Sequence, residues 1–370
     1  MDRFEYGDDK ITDKEIMIAI PSIVIGVGVL YLPRSLAEGT IGADGWISLL
    51  VSGGIITFFT WLTARLAAQF PGQEFLDYAS KLVSRPVGIC LTLLLTVHGI
   101  IITAFEVRAI GDLAKHYLFA RTPIEVIMLA FLLVVIYAVS GSRAGVFRLN
   151  MMFLPIIIFI TMVVILFTLG WFDHGNLLPL FQTDTSGYLS SFNVSIFSCL
   201  GFWILLFYMS LVKRPGNAPA KAALGMILVV LIYMILFIAC IAVFGNKATA
   251  NLLYPTVELA KEVEIPGGFF ERFESVFFVI WIMAIFNTSA LAMDASVFAL
   301  QSIFKKTAKR KIIIILAPIV FLIGLAPQDI TELSVLGSFV GYYGLGITMF
   351  TTLLLLAFAK LRGVTKRGEK

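Results

Sequence analysis

Apolar runs of about twenty residues recur along the whole chain, and this repetition constrains the fold more than any motif, because a run of that length spans the hydrocarbon core of a bilayer as a helix. Ten candidate spans lie near Glu15–Leu32, Gly45–Phe70, Val87–Tyr117, Glu125–Ser140, Phe147–Gly170, Ser190–Val212, Lys221–Phe244, Phe273–Phe304, Ile312–Ala326 and Leu336–Ala359. The ninth is short, with Pro318 inside it and Pro327 just after it, so it is the weakest of the ten. Of the 370 residues, 59% are hydrophobic and 14% charged, against about 45–50% and 25% in soluble domains. The excess is spread evenly. The reading is an all-α integral membrane protein, residues 1–370 forming one polytopic domain. Cys90, Cys199 and Cys240 all fall in apolar runs, with no disulfide or metal spacing. Met1 to Lys14 is mixed-charge and lacks the pattern of a removable signal.

The charges orient the chain. Cytoplasmic loops are enriched in Lys and Arg. With the N-terminus inside, the inner segments hold 21 of the 28 basic residues, including the run Lys305, Lys306, Lys309, Arg310 and Lys311. The outer side is left with Arg34, Arg108, Lys115, Arg121, Lys247, Lys261 and Arg272. An even number of spans with both termini on the cytoplasmic side follows. Ten spans divide as five plus five, and an odd number of crossings inverts the second half. The expected halves are about 15–170 and about 190–360, with span six the counterpart of span one.

Span one carries Ile20-Pro-Ser-Ile-Val-Ile-Gly-Val-Gly-Val-Leu-Tyr-Leu-Pro33. Gly26 and Gly28 let the backbone leave helical geometry. A helix opened at mid-depth survives only against protein or a polar cavity, because hydrocarbon satisfies no backbone group. Two readings fit: a wall of a small-molecule site, as in transporters with broken helices, or a close helix–helix contact. Span six carries Phe197-Ser-Cys-Leu-Gly-Phe-Trp203, where Gly201 marks a second expected break.

Ionisable and polar groups at depth are functional candidates by default. His98, Ile102 and Glu106 follow at i, i+4, i+8 and share one face of span three. Arg108 and Asp112 are expected to pair near the outer surface. Asn287, Thr288 and Ser289 form a polar step in span eight, and Asp294 lies further in, where an inner Lys or Arg is its expected partner. Gln73–Val83 is amphipathic and fits a short helix on the inner face. Tyr254–Lys261 fits a short outer helix, either a cap on the site or a solvated connector. There is no Gly-Lys-Ser/Thr phosphate loop, no metal-spaced His/Cys/carboxylate cluster and no nucleophile motif. The chain is expected to be no enzyme, to need no cofactor or metal, and to bind no nucleic acid.

Several motifs resemble the B subunits of nutrient germinant receptors, the spore germination permeases of spore-forming bacteria. They are Lys10-Ile-Thr12, Gly26-Val-Gly28 with Leu32-Pro33, Asp44-Gly-Trp46, Phe105-Glu-Val-Arg-Ala109, Arg121-Thr-Pro123, Phe197-x-x-Leu-Gly-Phe202, Tyr254-Pro-Thr256, and Glu271-Arg-Phe-Glu274 with Trp281. They run end to end in order. The resemblance implies a branch of the amino acid–polyamine–organocation transporters, with a ten-helix, five-plus-five inverted-repeat bundle broken in helices 1 and 6. It also implies sensing of a small germinant (amino acid, sugar or nucleoside) in the inner spore membrane, with the signal passing to A-type and C-type subunits. Trp203 departs from the family, where a glutamate often stands.

The expected site follows. Free N–H groups at Val27, Gly28 and Val29, next to Gly26, face an anionic group of the solute, since helix N-termini favour negative charge. Leu200, Gly201, Phe202 and Trp203 contact the rest. Ile102 and Glu106 form the span-three wall, and Thr288 closes the fourth side. His98, Thr103, Asn287 and Ser289 are candidates for an ion or water path. A side chain at Gly28 is expected to block both the helix opening and the solute. The alternatives are an ion-coupled amino acid transporter and a scaffold subunit with a vestigial pocket.

Overall fold

The computed structural model describes residues 10–263 and 273–363. Arg3, Arg272, Lys366, Arg367, Lys370, Glu271, the side chain of Glu274 and both chain termini lie outside the described residues. The described residues are almost entirely helical. In order the helices are α1 (Asp13–Val24), α2 (Gly28–Gly39), α3 (Gly45–Ala68), α4 (Phe75–Leu82), α5 (Arg85–Tyr117), α6 (Ile124–Ser140), α7 (Arg143–Thr168), α8 (Thr185–Ser198), α9 (Leu205–Tyr208), α10 (Ala218–Phe244), α11 (Asn246–Asn251), α12 (Pro255–Lys261), α13 (Phe273–Ile303), α14 (Lys309–Leu325) and α15 (Ile330–Leu361). Single 3₁₀ turns, Phe202–Ile204 and Met209–Leu211, flank α9.

Six helices are long and apolar enough to cross a membrane, and the two bent pairs bring the number to eight. The two remaining expected spans, α6 and α14, are 17 residues each, at the lower limit for a crossing; the count of ten depends on them. Both expected breaks are present. α1 and α2 meet at 59°, and α8 and the 202–211 segment at 41°. α3 packs along α10 and α5 along α13, so the second expected span meets the seventh and the third meets the eighth. Gly53 admits the α10 side chain of Val230, whose Cγ1 lies 2.6 Å from where a Cβ would stand. α13 is the most enclosed helix, with 72% of its apolar window buried.

Helix starts differ from the apolar runs where the first turn is polar. α8 begins at Thr185 because Asp184 caps it through Gly187 N–H at 2.9 Å. α15 begins at Ile330 because Asp329 caps Glu332 N–H at 2.9 Å. Such caps satisfy the orphan N–H groups of a helix start. α1 opens on a capping box, Thr12 N–H to Glu15 Oε2 at 2.6 Å and Glu15 N–H to Thr12 Oγ1 at 3.2 Å. Ile11, just before it, exchanges backbone hydrogen bonds with Leu211 and Lys213, both 2.9 Å.

The loops assigned to the two sides gather at opposite ends. At the inner end Lys305 reaches Asp77 (3.5 Å) and Arg362 donates to Lys81 O (2.7 Å). α4 lies there as expected, but its apolar face turns to protein: Tyr78 donates to Leu206 O at 2.9 Å and Phe75 meets the Phe207 ring at 5.0 Å. At the outer end Arg108 pairs with Asp112 at 2.9 Å and donates to Gln328 O at 3.3 Å. Asn246 reaches Ala37, Thr40 and Gly42 carbonyls.

The outer end is also held by Asp44, which is fully buried. Its carboxylate accepts Phe181, Gln182 and Thr183 N–H at 2.6, 2.9 and 3.0 Å and the Thr183 hydroxyl at 2.9 Å. Burial raises its pKa, but these four donors outweigh it and hold the carboxyl below its ordinary value. A depressed carboxyl stabilises fully above its unfolded pKa near 3.9, and that stability is lost as pH falls through the lower folded value. Asp44→Ala is expected to cost about 1–3 kcal/mol at neutral pH. It should also flatten the loss of stability below about pH 4, read by thermal denaturation of the detergent-solubilised protein across pH.

Candidate functional site

The break between α1 and α2 leaves backbone groups without helical partners, and several are met by named neighbours. Gly26 N–H turns back to Val24 O at 3.0 Å. Ser22 O lies 3.4 Å from the Thr288 hydroxyl and Gly26 O 3.3 Å from Trp281 Nε1, both on α13. The Tyr233 hydroxyl, on α10, lies 2.9 Å from Val24 O and 3.4 Å from Ser198 O, so one side chain ties the first break to the second. Pro33 has no N–H for Val29 O, and the Thr256 hydroxyl of α12 takes that carbonyl at 3.0 Å.

The freed Val27 N–H does not face open space. Glu106 Oε2 accepts it at 3.2 Å. The carboxylate of α5 therefore sits at the N-terminus of α2, where a solute's anionic group was expected. Gly28 and Val29 belong to the first turn of α2. The two glycines differ in their surroundings. A Cβ on Gly26 would lie 2.6 Å from Glu106 Oε1 and 2.8 Å from Thr288 Oγ1, whereas a Cβ on Gly28 would meet only Tyr31 Oη, at 3.8 Å. Gly26 makes room for the polar lock, and Gly28 opens onto the cavity.

Two cavities stack along the breaks. The inner one, about 80 Å³, is lined by Ile23, Val24, Gly28, Tyr31, His98, Ile102, Phe105, Glu106, Phe197, Ser198, Leu200, Thr288, Gly337, Val340 and Gly341. The outer one, about 440 Å³, shares Tyr31, Phe105, Phe197, Ser198 and Gly337 with it and reaches Val27, Arg34, Glu38, Leu253, Tyr254 and Ile330. Of the expected site residues, Gly28, Ile102, Glu106, Leu200, Thr288 and His98 line the inner cavity and Val27 the outer one. Gly26, Val29, Gly201, Phe202 and Trp203 line neither. Gly201 is pressed on α1, its missing Cβ 2.5 Å from Val24 Cγ2. Trp203 is buried edge-on against His98 (5.4 Å between rings), in a slot left by Gly99. Thr103 and Ser289 return their hydroxyls to Gly99 O and Ile285 O of their own helices, and Asn287 is buried away from both cavities.

Sequence reasoning missed the α15 wall. Gly337, Gly341 and Gly344 receive Phe105, Phe197 and His98 respectively. The glycine spacing was the available signal, small residues allowing close approach. Tyr233 carried no signal at all, since nothing along α10 marks which tyrosine reaches a break.

A buried charge cluster lies at the other end of α13. Asp294, fully buried, meets Lys309 at 2.8 Å, Arg143 at 3.7 Å and the Tyr208 hydroxyl at 2.7 Å. These come from the starts of α14 and α7 and from α9. Arg143 also donates to Gln301 and lies 4.0 Å over the Phe298 ring. The expected inner partner of Asp294 is thus two cations and a phenol.

The family model described as "Spore germination protein" matches residues 10–333. The chain belongs to the spore germination protein family. It is 39% identical to spore germination protein GerLB of Bacillus cereus over 364 residues, 98% of this chain and 97% of the relative. It is 30% identical to spore germination protein YndE of Bacillus subtilis (strain 168), covering 98% of each, and 28% identical to spore germination protein A2 of the same organism, covering 94% and 95%. Among solved structures it resembles Mhp1, a nucleobase-cation-symport-1 family transporter in a closed conformation with bromovinylhydantoin bound (TM-score 0.70, 14% identity, 96% of this chain and 79% of that one). It also resembles MhsT in complex with L-phenylalanine (TM-score 0.68, 16% identity, 95% and 99%). This germination protein therefore has a transporter-type helical bundle and is a membrane protein of a permease-like family, not an enzyme.

Two expectations follow for the family member in hand. Gly26→Ala is expected to displace Glu106 or Thr288 and to cost about 1–3 kcal/mol, while Gly28→Ala leaves stability within about 0.5 kcal/mol; thermal denaturation of the two variants checks this. Removing one member of a buried ion pair costs about 3–5 kcal/mol, so Asp294→Ala is expected to destabilise far more than Lys309→Ala, whose partner Asp294 keeps Arg143 and Tyr208. The same melting measurement reads both.

Proposed function

We propose that the chain is the germinant-sensing membrane subunit of a spore germination receptor. A small nutrient enters through the outer vestibule, binds in the inner cavity at the broken helices, and biases the bundle between two states that partner subunits read. The single observation that carries this is the continuity of the two cavities through Tyr31, Phe105 and Phe197 above a closed inner network around Asp294. A bundle open to one side and sealed on the other has a state to lose, and a solute shifts it by its differential affinity for the two arrangements. An amino acid is favoured over a sugar or nucleoside, because the inner cavity is small and pairs an apolar wall with Glu106 and Thr288. The A-type and C-type subunits are the proposed readers of the change. The proposed setting is the inner spore membrane with both termini on the core side, and residues about 15–170 and 190–360 are the proposed inverted repeats.

Gly28→Leu is the test, because the backbone there tolerates a Cβ while the side chain enters the cavity. In intact spores the variant is expected to shift the germinant dose–response by tenfold or more with the protein still present in the membrane. An unchanged dose–response would sink the site assignment. The transporter fold favours one second reading, ion-coupled uptake. Gradient-driven accumulation of labelled amino acid in vesicles would support it over sensing.

A further inference from the structure

We propose that the inner cavity takes a solute bearing a protonated amine, with Glu106 as its counter-charge. This rests on the reading of the cavity as the solute site and names the chemical class it accepts.

Glu106 is 5% exposed, and its one hydrogen-bond donor among the described residues is Val27 N–H. No Lys or Arg lines the inner cavity. The nearest basic side chain along the outer cavity, Arg34, is paired with Glu38 at 2.8 Å. The basic residue two positions on in α5, Arg108, is paired with Asp112. A buried carboxylate without a cation is costly, and one dipolar donor offsets only part of the cost. A proton or a cationic group offsets the rest, and the cavity that Glu106 lines has room for a cationic one.

The same geometry disfavours an anionic solute. Oε2 already occupies Val27 N–H, and the carboxylate fills the space that a Cβ on Gly26 would need. A second carboxylate at the α2 start would lie at like-charge distance from the first. The rest of the lining, Ile23, Ile102, Phe105, Phe197, Leu200 and Val340, fits a short apolar substituent. A second, independent sign of a ligand lies at the inner end. His98 is fully buried, lines the cavity, and has no hydrogen-bond partner at either ring nitrogen. It stands two turns along α5 from Glu106, about 12 Å of helix rise. A solute lying along this face meets a carboxylate at one end and an unspent imidazole at the other.

The test uses three probes of matched shape on the full chain in detergent: isobutylamine, isobutanol and isobutyric acid, followed by thermal denaturation at neutral pH. The amine is expected to raise the melting temperature at concentrations at least tenfold below those at which the acid or alcohol acts. Glu106→Gln, which keeps an acceptor for Val27 N–H, is expected to lose that preference, and Glu106→Asp to retain it in weakened form. The acid acting as well as the amine, or Glu106→Gln keeping the amine preference, would overturn the proposal. If the amine fails while amino acids or nucleosides stabilise the protein in a manner lost in Gly28→Leu, the amine proposal falls and the sensing reading stands. If no solute of any class acts, both fall.

Discussion

Backbone groups opened inside a bilayer must find partners, and the structure of this protein is arranged around that requirement. Unsatisfied N–H and C=O groups cost several kcal/mol each in hydrocarbon. The two breaks expose such groups near the middle of the bundle. Glu106 from α5, Tyr233 from α10 and Thr288 and Trp281 from α13 reach in to meet them. These are three of the helices that pack directly on each other or on α1. The packing of the bundle and the satisfaction of the breaks are therefore one problem, and a shift of α5 or α13 relative to α1 must break some of these bonds or carry the broken helix along.

This coupling gives the cavity its consequence. Glu106 and Thr288 each do two things: they satisfy the break and they line the space beside it. A solute that draws on either group changes how the break is held. The Tyr233 hydroxyl then connects the break of α1 to the end of α8, so that a change at one break is felt at the other. At the inner end, Asp294 gathers α7, α9 and α14 into a buried charge cluster. Burying a carboxylate is tolerable there because two cations and a phenol share it. Such a cluster has discrete made and broken states, which suits a switch better than a continuous deformation.

The outer end is built differently. Asp44 grips the 181–183 loop with four hydrogen bonds and Asn246 grips the end of α2. α12 leans on α2 through Thr256, and Tyr117 donates to its Glu258 at 2.8 Å. These contacts frame the vestibule, with Leu253 and Tyr254 in its wall. The segment that leads into α12 is part of that wall, and α12 itself is packed against α2.

By itself the sequence determined the class of the fold. Repeated apolar runs leave a chain no option but helices across lipid, and Gly26-Val-Gly28 and Gly201 marked where both breaks fall, although the sequence left a close helix–helix contact as a second reading of the glycine pair. The pairing of Arg108 with Asp112 was legible from i, i+4 spacing alone, and the fate of Asp294 from the inner basic loops. Contacts between distant helices were not legible. That Glu106, and not a solute, takes the Val27 amide depends on how α5 lies against α1. That Trp203 turns away from the cavity depends on the slot at Gly99. That Gly26 and not Gly28 is the tight position depends on which side of α2 faces Glu106. Periodicity places a residue on a face of its own helix. Only the packing of one helix on another decides what that face meets, and in this protein that decides which polar groups are paired and which are left unpaired.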